Sequence, residues 1–200
     1  MRIIVVGATG TIGKAIVAAL AGRHEVVQVG HRGGEYQVDL ADKSSIERLF
    51  ESVGAFDALV VAAGQAKFGE LDGLSDQDFQ FSLSNKLMGQ VNLVRAGLAH
   101  VNEGGSFTLT SGVLNREPIP GSAALALVNG ALEGFASAAA LDLPRDARIN
   151  VISPPWVSET LEAMGRDGAA GLPAAQVARA YVESVEGDRT GETLDAREFV

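Results

Sequence analysis

The chain has 200 residues, 46% of them hydrophobic, and a net charge of −9. That is enough for one domain spanning 1–200 with a single core, and it leaves no room for a separate substrate domain. The absence of cysteine excludes disulfides, thiolate metal sites and cysteine nucleophiles. The acidic balance argues against broad contact with nucleic acid or an anionic membrane surface. No apolar run approaches the ~20 residues needed to cross a bilayer, and the first residues read as a strand rather than a targeting signal. The expectation is a soluble, untargeted, cytoplasmic protein with a small-molecule ligand and no metal.

Met1 to Val6 is a β-branched apolar run broken by Gly7-Ala8-Thr9-Gly10-Thr11-Ile12-Gly13, after which Ile12, Ile16, Val17 and Leu20 recur at helical spacing. A strand, a glycine turn and a helix in this order let backbone amides approach a pyrophosphate, with the positive end of the helix facing the same anion. Residues 25–29 form a second strand and 30–34 a loop. Residues 35–39 read as a third short strand, yet the link before them is far shorter than the dozen or so residues of a parallel crossover. Either the intervening helix is missing and the edge is irregular, or these residues pair weakly.

Asp42 or Ser44 caps a helix over 46–53, and residues 56–62 form a strand ending in Ala63-Gly64. Phe79, Leu83, Leu87, Val91, Val94 and Leu98 then predict one long helix, or two abutting ones, over 75–101. A strand at 105–110 delivers Ser111, a helix covers 122–143, and a strand at 148–153 is stopped by Pro154-Pro155. Short helices near 158–164 and 173–186 and a strand at 193–196 complete the chain. Such alternation implies a doubly wound, mostly parallel sheet of about seven strands with helices on both faces. Ligands of such sheets sit beyond the carboxyl ends of the strands. Gly7 to Gly13, His31-Arg32, Ala62 to Gly64, Ser111 and Pro154 to Thr160 all fall on that edge.

Seven short segments, in order, resemble landmarks of the short-chain dehydrogenase/reductases, whose nucleotide-binding domain is of the Rossmann type. They are the glycine turn, Asp39-Leu40, Ala62-Ala63-Gly64, Lys86 to Gly89, Thr110-Ser111-Gly112, Asn129 to Phe135, and Ser153 to Val157. The resemblance runs nearly end to end. It implies a nucleotide cofactor held by Gly7, Thr9, Gly10, Thr11, Ile12 and Gly13, with adenosine near Asp39 and Leu40. The nicotinamide then lies among Ala62, Ala63, Gly64, Ser111, Pro154 and Val157. His31 and Arg32, with no acid at the end of the second strand, point to NADP(H), because an arginine pairs with a 2′-phosphate.

The resemblance also implies a centre of Asn, Ser and Tyr-x-x-x-Lys, and of these only Ser111 is present. Leu125 stands at the tyrosine position, Asn129 at the lysine and Lys86 at the helix asparagine, as if lysine and asparagine had been exchanged. The candidate catalytic set is therefore Lys86, Ser111 and Asn129, with Lys86 or its bound water as proton donor and Ser111 polarising a carbonyl. On the residues alone, Leu125 also fits a plain core position and Lys86 a lysine lying along its helix surface. Ala62 in place of the usual asparagine, and Pro155 in place of a glycine, are further departures.

Three functions are compatible with this pattern. They are an NADP(H)-dependent oxidoreductase of a small carbonyl or alcohol with a rearranged centre; a cofactor-binding sensor or partner-binding protein without turnover; and an isomerase, epimerase or lyase on the same fold. The resemblance implies a homodimer, or next a tetramer, with the helices at 75–101 and 122–143 pairing across the axis.

Overall fold

A computed structural model describes all 200 residues. Seven parallel strands, β1 (Arg2–Val6), β2 (Glu25–Gly30), β3 (Tyr36–Gln37), β4 (Phe56–Val61), β5 (Val101–Thr110), β6 (Arg148–Ser153) and β7 (Thr193–Asp195), form one sheet in the order 3-2-1-4-5-6-7. The helices are α1 (Thr11–Leu20), α2 (Lys43–Val53), α3 (Asp76–Ser82), α4 (Met88–Gly97), α5 (Ala123–Ala139), α6 (Ser158–Ala163) and α7 (Ala174–Glu186). No helix is long and apolar enough to cross a membrane.

The central strands are apolar throughout because both faces are covered, so the period of two appears in where the side chains go. Ile4 and Val6 of β1, with Leu59 and Val61 of β4, enter a core with residues of α2, α4 and α5. Ile3, Val5, Ala58 and Val60 enter the opposite core with residues of α1 and α7, including the fully buried Tyr181. The sheet is extended outward in both directions from the adjacent β1 and β4, so the switch point opens at the ends of these two strands, where the glycine turn and Ala62 lie.

The missing helix and the short, irregular edge at β3 agree with the sequence expectation, and three other segments differ from it. There is no helix between β2 and β3, and the pairing of β3 is also short: Val29 aligns with Tyr36 and Gly30 with Gln37, in parallel. The chain reverses over residues 31–35, using Gly34 at φ 96°. The Glu35 amide donates to the Gln28 carbonyl, and the Gln28 amide donates back to the Glu35 carboxylate. The strand expected at 105–110 starts at Val101, with pairing that jumps from Phe56–Val101 to Ala58–Ser106. α5 stops at Ala139, four residues before the expected end.

The third difference bears on function. The run expected as one long helix or two is α3 and α4 joined by a wide π turn at Leu83–Leu87. A box between Ser75 and Asp78 caps its start. The turn is pinned to the loop after β4, because Asn85 Oδ1 accepts from the Gln65 amide at 2.7 Å and Ser82 Oγ from the Lys67 amide at 2.9 Å.

Candidate active site

The glycine turn is built by close backbone approach. A β-carbon on Gly7 would collide with the Ala62 carbonyl, and one on Gly13 with the carbonyl of Gly7. The Gly7 and Ala8 amides both donate to the Val29 carbonyl, tying the turn to β2. Gly10 caps α1 and no side chain satisfies the first-turn amides, so the helix start stays open to an anion at the carboxyl edge. Thr9, Gly10 and Thr11 are exposed there, as are His31, Arg32 and Asp39 further along the edge. The cradle fits a dinucleotide pyrophosphate. Leu40 is a core residue, only 8% exposed and packed with α2 and α4 residues, so at most its backbone is available to a ligand.

Beside the turn lies a cavity of about 300 Å³, lined by Ile12, Ala62 to Gly64, Lys86, Thr110 to Leu114, Leu125, Asn129, Pro154 to Val157 and Thr160. The structure thus brings Lys86, Ser111 and Asn129 to one cavity with the nicotinamide-side residues. His31, Arg32 and Asp39 stand outside it. Leu125 is half-buried on its wall and leaves it open.

Lys86 is delivered by the π turn, and Gly64 makes room for it: a β-carbon on Gly64 would lie 3.0 Å from the Lys86 Cα. Its ammonium donates to the Ser111 carbonyl at 3.0 Å and has no carboxylate beside it. Burial alone pulls this group from 10.5 down to about 8. From the opposite side, Asn129 Nδ2 donates to the Gly112 carbonyl at 3.1 Å. Consecutive carbonyls after β5 are therefore clamped by side chains of two helices. Asn129 Oδ1 is buried without a partner.

The Ser111 hydroxyl donates to Glu133 Oε1 at 2.9 Å, so its proton is directed at a carboxylate and away from any carbonyl it was expected to polarise. Arg116 donates to both Glu133 oxygens at 2.7 Å, Asn115 to Oε2 at 2.8 Å, and Arg116 also to Ser153 Oγ at 2.6 Å. Sequence reasoning missed this network. The signal was available: Leu125, Asn129 and Glu133 share one row of α5 at i, i+4, i+8. Behind the cavity, Thr110 donates to the Val61 carbonyl, so the Tyr181 hydroxyl 2.7 Å away is the donor to Thr110. Burial raises the pKa of this tyrosine, and Tyr181 does not line the cavity.

A parallel sheet of this order, with a glycine turn closing onto its first helix and a cavity at its carboxyl edge, defines the dinucleotide-binding α/β class. Residues 4–192 match the family model described as enoyl-(acyl carrier protein) reductase. The chain belongs to the short-chain dehydrogenase/reductase family and is an oxidoreductase of that type. The crystal structure of the protein lin1944 from Listeria innocua superposes with a TM-score of 0.94 at 40% identity, over 98% of each chain. A small-chain dehydrogenase solved in complex with NADPH superposes with a TM-score of 0.86 at 27% identity, over 98% of this chain and 95% of that one. An uncharacterised oxidoreductase of Methylorubrum extorquens is 28% identical over 86% of this chain and 80% of its own. A hydroxynaphthalene reductase of Aspergillus fumigatus is 29% identical over 68% of this chain, which matches 52% of that protein's length.

Proposed function

We propose that the protein is an NADP(H)-dependent oxidoreductase of a small carbonyl or alcohol whose proton-handling group is Lys86. The observation that carries this reading is the buried ammonium at the cavity, on the Ser111 carbonyl, delivered from the helix where the family resemblance expects asparagine. When bound, the dinucleotide supplies or accepts the hydride. The Gly7–Gly13 turn and the start of α1 hold its pyrophosphate, and Pro154 and Val157 confine its nicotinamide end. Lys86 donates a proton to the developing alkoxide, or accepts one in the reverse direction, and a group at about 8 is matched to both near neutral pH. Asn129 fixes the Ser111-Gly112 backbone against which Lys86 rests.

Support for NADP(H) comes from Arg32, exposed in the loop after β2 and in no ion pair, and from the structural relative solved with NADPH. Arg32→Ala is expected to weaken NADPH binding about tenfold or more and to leave NADH binding nearly unchanged. Titrating both dinucleotides by calorimetry checks this, and equal losses defeat the assignment.

One observation favours a second reading. The Ser111 hydroxyl is held by Glu133, and a serine so engaged donates nothing to a substrate, which suits a protein that binds the cofactor without turnover. NADPH consumption against a panel of small carbonyls separates the two. Consumption that disappears in Lys86→Met while NADPH affinity is retained supports the oxidoreductase. Tight NADPH binding with no consumption on any carbonyl moves the assignment to a sensor or partner-binding protein.

A further inference from the structure

The cavity carries an electrostatic asymmetry that hydride transfer alone does not require. The chain has 25 Asp and Glu residues, yet none lines the cavity, and Lys86 is its only charged lining residue. The ammonium has three protons to donate and gives one, to the Ser111 carbonyl. Around it the walls are apolar: Val113, Leu114, Leu125, Pro155 and Trp156. Arg166, which does not itself line the cavity, has its guanidinium 5.6 Å from the centroid of the Trp156 ring and enters none of the ion pairs that hold half of the chain's lysines and arginines. A buried cation with no counter-charge is costly and persists where a ligand supplies the missing charge.

We infer that the cavity takes an organic carboxylate with an apolar body, its carboxylate seated on the Lys86 ammonium and its body against Trp156 and Leu125. A neutral carbonyl would occupy one of the two remaining donors. A carboxylate presents two oxygens and the compensating charge, and burial of the ammonium strengthens that pairing. The substrate class that follows is a carbonyl or hydroxyl compound bearing a carboxylate close to the reacting carbon, so that both oxygens face the same ammonium. This rests on the proposed function only in taking the cavity as the substrate site.

The chain has one tryptophan, and it lines the cavity, so its fluorescence reports occupancy without turnover. The test is titration of the protein with 3-phenylpropionate and with the neutral isostere 3-phenylpropionamide, repeated at low and high salt. The wild type is expected to bind the carboxylate about tenfold more tightly than the amide, with a preference that shrinks as salt rises. Lys86→Gln should erase the preference and Lys86→Arg should retain it. Equal affinity for the two probes overturns the inference with no variant needed, so misfolding of Lys86→Gln does not protect it. A preference that survives Lys86→Gln places the anion elsewhere and overturns it as well. Failure of the proposed function looks different: carboxylates bind through Lys86 but NADPH is consumed with no carbonyl. Reduction of neutral carbonyls with no carboxylate preference would instead leave that function standing and remove this inference.

Discussion

The glycine turn and the cavity beside it are built from different materials. In the turn the site is backbone: Gly7, Gly10 and Gly13 fold the turn onto β2 and β4, and its function depends on side chains being absent. In the cavity the site is side chains: Lys86 and Asn129 clamp consecutive carbonyls, and Glu133 holds Ser111. A backbone cradle tolerates almost no change, because any β-carbon meets another carbonyl. A side-chain centre can exchange its parts between helices and still present a donor to the same cavity. On the proposed function, that difference lets one edge of the sheet keep a familiar nucleotide turn beside a catalytic set whose parts have moved between helices.

The backbone cradle is least tolerant at Gly13. A β-carbon there meets the Gly7 carbonyl, whereas one on Gly22, at the far end of α1, meets nothing within 4 Å. Gly13→Ala is expected to cost about 3 kcal/mol or more and to abolish NADPH binding, and Gly22→Ala to stay within about 0.5 kcal/mol of the wild type. Urea denaturation with a parallel cofactor titration measures both. If Gly13→Ala is as mild as Gly22→Ala, the turn is not held by close approach.

The side-chain half is probed by pH. Lys86 falls to about 8 through burial, below the usual 10.5 of an unfolded lysine. Between these values the unfolded chain keeps a proton that the folded chain has lost, so stability rises with pH across that window and is flat in this respect below it. The full rise is at most about 3 kcal/mol. Above pH ~10 Tyr181 opposes it, because burial keeps its hydroxyl protonated in the folded state while the unfolded chain ionises. Lys86→Met should remove the rise and be the more stable protein below pH 8. Urea midpoints collected from pH 7 to 10 check this, and a wild-type curve parallel to that of Lys86→Met would show that the ammonium pays no desolvation cost.

The same division governs how much could be read from the sequence. The doubly wound parallel sheet and the glycine cradle were legible, because glycines at a strand end and fully apolar strands leave few alternatives, whereas the order of the strands in the sheet was not read. The π turn was not read, although Phe79, Leu83, Leu87 and Val91 follow one another at steps of four. Three such steps overshoot the helical repeat by about one residue, the excess that a wide turn absorbs. Lys86, Ser111 and Asn129 were legible as a set only through the resemblance. The partner of Ser111 was missed although Glu133 continues the α5 row of Leu125 and Asn129; only its joining to Asn115 and Arg116 depends on packing α5 beside the end of β5.

The smallest effect tests that last contact. If the Ser111 proton rests on the Glu133 carboxylate, then Ser111→Ala and Glu133→Gln should each destabilise by about 1 kcal/mol, and the double variant by less than their sum. The shortfall, about 1 kcal/mol, is the coupling between hydroxyl and carboxylate. Arg116 complicates only the single Glu133→Gln value, because its lost ion pair is common to that variant and the double one and cancels in the cycle. Additive effects would mean that the hydroxyl faces the cavity in solution. Ser111 would then be free to donate to a substrate oxygen, and the observation favouring a cofactor-binding protein without turnover would be gone.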